Sequence, residues 1–258
     1  MCLNKFHSLQ RLSKFIHTEP PRSSFFYAFD TRVRGSNATF KFYKALDSIL
    51  EGVPENQWPT LVEKARNVVC CKNNNRFGVF SQLHEVLFEA LGFWYLQNVW
   101  KAKHIQYIPE FSECRTPDFV ACIGNRKILC EQKTKNTSYE DDSRYYGSPS
   151  SPKPSIIPIP SRPTRESIDR ILRRIVENAK SQIAVFQQKQ IDYWGAERCC
   201  LIFLDLDTVY DNYFSPLLDP VQDVVDSIQS DLTVDVVAHH HQEGWVLVRK
   251  AKQVRLPF

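Results

Sequence analysis

The sequence predicts an α/β protein with a central mixed β-sheet flanked by helices, preceded by a mostly helical N-terminal region. From about Phe77 onward, the segments follow the order helix, three strands, helix and strand, which is typical of an α/β core. The 258 residues are 43% hydrophobic and 24% charged, values that are ordinary for globular proteins and that exclude collagen-like and disordered chains. This length allows one or two domains.

Residues 1–76 are predicted to be mostly helical. The segments FYKALDSIL and TLVEKARNVV have helical spacing, and Gly52, Pro54 and Pro59 separate them. The first 18 residues carry three Lys or Arg residues and no acidic residue before Glu19, a pattern that favours an amphipathic helix over a transit peptide or a basic arm for nucleic acid. This region is a candidate for substrate or partner binding.

The segment that follows predicts a helix and three strands. SQLHEVLFEALGFWYLQNVW has the apolar spacing of an amphipathic helix with Ser81 near its start. HIQYIP reads as a short strand that ends at Pro109. The runs PDFVACI and KILCEQK flank Gly124 and Asn125, so we expect a β-hairpin.

The remainder predicts a loop, two helices and a last group of strands. Residues 136–163 are polar and rich in proline, which favours a long loop. RESIDRILRRIVENAKSQIAVFQQK predicts a long helix with Thr164 as its N-cap, and CCLIFLDLD a buried strand. PVQDVVDSIQS predicts a helix beginning at Pro220, and VDVVAHH and WVLVRKA a final strand pair around Gly244. We therefore place a core at residues 77–258.

The cysteines and the apolar runs bear on compartment. No CxxC pair occurs among the eight cysteines and no secretory signal is evident, so we expect reduced thiols and a cytoplasmic location. The four cysteines in strand-like runs read as small buried hydrophobic residues: Cys122, Cys130, Cys199 and Cys200. Because no run of 18 apolar residues exists, we expect no membrane partner.

The predicted hairpin carries the residues with the clearest chemistry. Pro117-Asp118 opens its first strand, and Glu131-Gln132-Lys133 closes its second. Strand side chains alternate between faces, so Glu131 and Lys133 project together while Gln132 points away. The hairpin can bring Asp118 next to them, which predicts two carboxylates and one ammonium group at a single place.

Such a cluster suits hydrolysis of phosphodiesters. Crowded carboxylates repel each other, and hard cations such as Mg²⁺ or Mn²⁺ relieve that repulsion. A cation held by one or two carboxylates keeps positions open for water and for a phosphate oxygen, and it acidifies the water. The lysine can hold the nucleophilic water or stabilise developing charge. The alternative is an ordinary exposed ion pair on a hairpin.

The motif resembles that of the PD-(D/E)xK nuclease superfamily, also called restriction-endonuclease-like. Thr116-Pro117-Asp118-Phe119 and Ile128-Leu129-Cys130-Glu131-Gln132-Lys133 carry the likeness, together with the order of the predicted elements. The resemblance covers residues 77–258 and does not cover residues 1–76. It implies a restriction-endonuclease-like core and a metal-dependent endonuclease that uses Mg²⁺ or Mn²⁺, with DNA favoured over RNA as the substrate.

The resemblance also implies roles for particular residues. Asp118, Glu131 and Lys133 correspond to the catalytic residues of the superfamily. Its metal ligands correspond to Asp118, Glu131 and the backbone carbonyl of Gln132. Many members add a glutamate from the helix before the sheet, for which Glu85 is the first choice and Glu89 the second.

A basic helix segment favours a polyanionic partner. Residues 161–190 contain seven Lys or Arg residues and three Asp or Glu residues, an excess that equals the net charge of +4 of the whole chain. The predicted nucleic-acid-binding residues are Arg165, Arg170, Arg173, Arg174 and Lys180, with Gln182 added by its likeness to a glutamine of some superfamily members. A solvated helix face with ion pairs between residues four apart is the alternative.

Two other functions stay open. A catalytically inactive nucleic-acid-binding module of the same fold is less favoured, because such copies usually lose an acid or the lysine. LIFLDLDTVY resembles the nucleophile motif of haloacid-dehalogenase-like phosphatases through Asp205 and Asp207, but Thr208 stands where glycine is usual and too few residues follow. A homodimer is a further expectation, because cutting both strands of a duplex needs two sites.

Overall fold

The computed structural model describes most of the chain and divides it into two compact units, Met1–Tyr107 and Ile108–Phe258. The described residues are 5–16, 37–70, 76–109, 111–135, 165–205, 215–228, 231–240, 244–250 and 252–255. The division falls later in the chain than the predicted boundary at residue 77. The predicted Pro-rich loop at residues 136–163 lies outside the described residues.

The first unit is mainly helical, as the sequence predicts. Its elements are α1 (His7–Ile16), α2 (Asn37–Glu51), α3 (Trp58–Cys70), α4 (Arg76–Asn98) and β1 (Lys103–Tyr107). Helix α4 includes the predicted start at Ser81 and already runs from Arg76.

A buried carboxylate holds two of these helices together. Asp47 of α2 is buried, and its Oδ1 accepts the backbone N–H groups of Ser8 at 2.8 Å and Leu9 at 2.9 Å. These N–H groups belong to the first turn of α1 and have no acceptor within that helix. A residue distant in sequence therefore caps α1, which local patterns could not predict.

The second unit is an α/β structure with a mixed sheet, which confirms the predicted fold class at that level. Its elements are β2 (Phe119–Ile123), β3 (Arg126–Lys135), α5 (Arg165–Lys189), a 3₁₀ turn (Ile191–Tyr193), β4 (Glu197–Asp205), α6 (Ser215–Ser227), β5 (Leu232–His240), β6 (Gly244–Arg249) and β7 (Lys252–Arg255). The six strands described in this unit are ordered β2-β3-β4-β5-β6-β7. The pairs β3/β4 and β4/β5 are parallel, whereas β2/β3, β5/β6 and β6/β7 are antiparallel pairs.

The predicted hairpin is confirmed. Strands β2 and β3 pair with Phe119 opposite Cys130 and Ile123 opposite Arg126. Gly124 begins the turn with φ of +58°, a conformation that glycine adopts without steric cost. The register places the segment before β2 beside the second half of β3.

Helix α5 packs on the sheet, and its bounds match the prediction. Its apolar side chains recur at helical spacing and join one core with the strands. The core residues from the helix are Leu172, Val176, Ala179, Ile183 and Phe186. Leu129 of β3 and Ile202 of β4 belong to the same core, so the helix has a fixed face against these two strands.

Three details of the second unit differ from the predictions. Helix α6 begins at Ser215 rather than at Pro220, with Pro216 in its first turn, where the missing N–H has no intrahelical partner to lose. Strand β7 was not predicted. Cys122 is half-buried rather than buried, whereas Cys130, Cys199 and Cys200 are buried free thiols as expected. Within the described residues, no helix combines the length and hydropathy that crossing a bilayer requires.

Candidate functional site

The hairpin brings the three predicted catalytic side chains together within the second unit. Continuing the β2/β3 register by one step places Asp118 opposite Glu131. Lys133 lies two residues beyond Glu131 on the same face of β3, and its Nζ donates a hydrogen bond to Glu131 Oε1. The predicted alternation is therefore confirmed for Glu131 and Lys133.

Asp118 is held by contacts of both its side chain and its backbone. Its Oδ2 accepts the backbone N–H of Gln132 at 2.7 Å, and its carbonyl accepts the N–H of Ile108 at 3.1 Å. The preceding Pro117 is buried and has a restricted φ, which narrows the paths the chain can take into β2. The residue as a whole is half-buried.

Glu131 is the most buried member of the cluster. Only 1% of the residue is exposed. Burial and the neighbouring Asp118 charge raise the pKa of Glu131 to about 8, although Lys133 and Gln182 act in the opposite direction. A carboxyl group with this pKa exchanges its proton close to neutral pH.

Lys133 remains a cation at neutral pH. Burial is the largest single influence and lowers the pKa of Lys133, but its interactions with Glu131, Asp118 and Cys200 together outweigh it, so the net shift of the pKa is upward. A third of the lysine side chain is exposed, so its ammonium group borders both Glu131 and the solvent. It is placed to donate hydrogen bonds to an anion at this surface.

Gln182 of α5 completes the arrangement. Its Nε2 donates to Glu131 Oε2 at 2.8 Å and to the carbonyl of Thr116 at 2.9 Å. One amide group therefore ties the helix, β3 and the segment leading to Asp118. The sequence offered Gln182 as a nucleic-acid-binding residue, and the structure places it against the carboxylate. The Thr116 carbonyl was missed, because a backbone acceptor leaves no signal in a sequence.

Gln132 contributes its backbone N–H to Asp118, as described above. Its side chain is buried on the other face of β3, and its Oε1 has no hydrogen-bond partner in the described part of the chain. Gln132 pairs in register with Leu201 of β4, so its backbone lies within the parallel part of the sheet. The proposed ligand role of its carbonyl stays a prediction.

The two helix glutamates belong to the first unit and differ in their surroundings. Glu89 forms an ion pair with Lys64, whose Nζ lies 2.6 Å from Glu89 Oε2. Glu85 is exposed on α4. The first choice, Glu85, therefore has the more accessible carboxylate, and its role as a metal ligand stays a prediction.

The predicted nucleic-acid-binding residues of α5 fall into two groups. Arg173 binds Asp169 at 2.9 Å and Ser227 Oγ at 2.7 Å, and Lys180 binds Asp231 at 3.2 Å. Arg170 and Arg174 are exposed, as Arg173 is, but neither forms an ion pair within the described residues. Arg165 is the first residue of the helix, and its side chain lies outside the described residues.

The residues of the alternative phosphatase motif are only partly described. Asp205 is the last residue of β4, and Asp207 lies outside the described residues.

A surface pocket with a volume of about 350 Å³ occurs elsewhere, near Arg126, Lys127 and Trp194. It lies at the turn of the hairpin, at the opposite end of β3 from Lys133.

The donor set of the cluster fits a hard cation that keeps part of its own hydration. Within the described residues, no group of three or more His, Cys, Asp or Glu side chains could hold a metal ion. Asp118 and Glu131 supply two carboxylates close enough for one to raise the pKa of the other. Mg²⁺ is typically bound by one or two carboxylates plus water and substrate phosphate, rather than by a complete protein cage.

Comparisons of this chain with protein-family models, curated proteins and solved structures gave no match.

Proposed function

We propose that the chain is a metal-dependent endonuclease of the PD-(D/E)xK type that hydrolyses phosphodiester bonds, with DNA favoured over RNA. The observation that carries the proposal is the buried Glu131, which faces a second carboxylate, Asp118, and contacts the ammonium group of Lys133. Two crowded carboxylates repel each other, and a bound cation relieves that repulsion. The arrangement, with one ammonium group beside it, therefore suits a site that binds Mg²⁺ or Mn²⁺ and phosphate.

Each residue of the cluster would have a separate role. Asp118 and Glu131 would hold the cation, which supplies Lewis-acid activation of water and of the phosphodiester when it is bound. Asp118 is kept in place by the Gln132 N–H, and Glu131 by Gln182. Lys133 would donate a hydrogen bond to the attacking water or to the charge that develops on the phosphate oxygens.

The cation would also change the protonation of Glu131. A raised pKa means that Glu131 carries a proton for part of the time at neutral pH, and a carboxylate must lose it to bind a metal. Cation binding would therefore release a proton from the site. This coupling links metal affinity to pH across the neutral range.

A catalytically inactive nucleic-acid-binding module is the second candidate, and one observation favours it. Both oxygens of Glu131 already accept hydrogen bonds, Oε1 from Lys133 and Oε2 from Gln182. A cluster satisfied by protein donors alone would need no cation. The two functions differ in whether the bound nucleic acid is cut.

The test is a cleavage assay of the purified chain. Duplex DNA, single-stranded DNA and RNA are incubated with Mg²⁺, with Mn²⁺ and with EDTA, using the wild type and the Asp118→Ala and Lys133→Ala variants. We expect cleavage that requires the metal and that is lost in both variants. Cleavage that survives both substitutions contradicts the assigned site, and binding without cleavage under all these conditions supports the inactive module.

A further inference from the structure

Helix α5 carries basic side chains in two sets with different surroundings. In one set, Arg173 donates to both carboxylate oxygens of Asp169 and to Ser227 Oγ, and Lys180 contacts Asp231. These two cations are neutralised by residues of the same unit. We call this pair of residues the paired side of α5.

The other set belongs to a row of polar residues at every fourth position, which winds around α5 next to this pair. Residues four apart form a continuous ridge on a helix surface, and here the ridge consists of Arg170, Arg174, Asn178 and Gln182. The first three side chains are exposed. Within the described residues, neither arginine of this ridge forms an ion pair.

The ridge ends at the candidate site, because Gln182 Nε2 donates to Glu131 Oε2 at 2.8 Å. A helix rises about 1.5 Å per residue, so Arg174 lies about 12 Å and Arg170 about 18 Å from Gln182 along its axis. These lengths correspond to about three to four and about five nucleotides of one strand, at about 3.4 Å of duplex axis per phosphate. A strand that runs along α5 from the site would therefore pass both guanidinium groups within about five nucleotides.

We propose that the ridge Arg170–Arg174–Asn178–Gln182 guides the phosphate backbone of one nucleic-acid strand to the site at Asp118, Glu131 and Lys133. The inference rests on the proposed function. The arginines would neutralise phosphates, which gives affinity and register without reading bases. Arg173 and Lys180 of the paired side would not bind nucleic acid. Fewer residues of α5 would therefore contact it than the sequence predicts.

Two double variants with the same loss of charge test this division. Arg170→Gln/Arg174→Gln alters the ridge, and Arg173→Gln/Lys180→Gln alters the paired side. Both are made in an Asp118→Asn background, which retains an oxygen acceptor for the Gln132 N–H and prevents cutting. Binding to a labelled 30-base-pair DNA duplex in Mg²⁺ is measured by fluorescence anisotropy at several salt concentrations, with folding checked by circular dichroism.

We expect the ridge variant to bind more weakly and to depend less on salt. Each lost phosphate contact reduces the slope of log K against log salt by about 0.9, so the ridge variant should lose about 1.8 and the paired-side variant much less. Equal losses in the two variants, or a larger loss on the paired side, overturn the inference and leave the proposed function standing. Absence of binding by both the wild type in EDTA and the Asp118→Asn background in Mg²⁺ contradicts the proposed function and the inference together.

Discussion

Two buried carboxylates of the second unit, Glu131 on β3 and Asp235 on β5, have similar burial and different surroundings. Glu131 is 1% exposed and Asp235 is 3% exposed. Each has a basic partner whose side chain is about one-third exposed: Lys133 for Glu131, and Arg249 for Asp235. The Asp235–Arg249 pair measures 2.7 Å and joins residues that lie opposite each other on the antiparallel strands β5 and β6.

The Asp235–Arg249 pair and the Glu131 cluster differ in their number of carboxylates. Asp235 and Arg249 contribute one charge of each sign, and their cross-strand position helps to hold the register of β5 and β6. The Glu131 cluster contains a second carboxylate, Asp118, and its basic partner Lys133 lies on the same strand, so the contact joins no strands. Excess negative charge in a buried place is costly for stability unless a proton or a cation compensates it. The comparison therefore separates an ion pair that supports the fold from a cluster that suits binding.

The largest expected effect comes from removing one carboxylate in each region. Asp118→Asn should reduce cleavage by at least about 100-fold, because it removes the negative charge of one of the two proposed ligands. Asp235→Asn should change cleavage by less than about threefold, provided that the assay temperature lies below the melting temperature of the variant. Both rates are measured on the same DNA substrate in Mg²⁺. Equal losses of activity would show that the cluster at Glu131 has no special role.

The next effect concerns pH. Because the pKa of Glu131 is raised from 4.5 to about 8, the folded state binds more protons than the unfolded state between these values. The free energy of unfolding should therefore fall as pH rises through this window, by up to about 1.4 kcal/mol per pH unit for one proton. Lys133 affects the pH dependence of the free energy of unfolding only above its ordinary pKa of 10.5, which lies outside this window.

Urea denaturation of the wild type and of Glu131→Gln between pH 5 and pH 8 measures this dependence. The variant cannot take up the proton, so its stability should vary less with pH, and it should gain relative to the wild type as the pH rises. A Glu131→Gln slope equal to that of the wild type would contradict the raised pKa.

The smallest expected effect comes from Gln182, the residue of α5 that donates a hydrogen bond to Glu131. Gln182→Met removes the hydrogen bonds to Glu131 and Thr116, and should lower the free energy of unfolding by about 1 kcal/mol and cleavage by about tenfold. Gln187 is the matched control, because its Nε2 donates to the Ala196 carbonyl at 2.7 Å and its Oε1 accepts from Arg198 at 2.7 Å, both remote from the carboxylates. Gln187→Met should lower stability without lowering the cleavage rate of the folded protein. The reverse pattern would remove Gln182 from the site.

Local patterns predicted most of the second unit. The hairpin followed from two apolar runs around Gly124 and Asn125, because turn chemistry and strand alternation depend on neighbouring residues only. Helix α5 followed from apolar residues at helical spacing. The predicted start of α6 was wrong. Pro216 and Pro220 both suit the first turn of a helix, and the sequence does not favour one over the other. Strand β7 is four residues long and depends on its pairing with β6.

The site could be predicted in its residue types but not in its contacts. Asp118, Glu131 and Lys133 were predicted from an unusual dipeptide and tripeptide placed at hairpin spacing. Gln182 was singled out only through the family resemblance, as a nucleic-acid contact. No local pattern indicated its hydrogen bond to Glu131, since an exposed helix glutamine has the same local pattern. On the paired side of α5, the Asp169–Arg173 pair is of the kind that the sequence offered as the alternative, with residues four apart. The contacts with Ser227 and Asp231 gave no signal, because these partners are distant in sequence from Arg173 and Lys180.

The sequence by itself determined the alternation that puts Glu131 and Lys133 on one face of a strand, because the period of a β-strand is a property of the backbone. Only the tertiary structure decided the charge state of that face. Burial of Glu131 and its contact with Gln182 depend on how α5 packs against β3, and the pKa of a carboxyl depends on the water and the charges around it. The residue types are local information, and their electrostatics belong to the packed molecule.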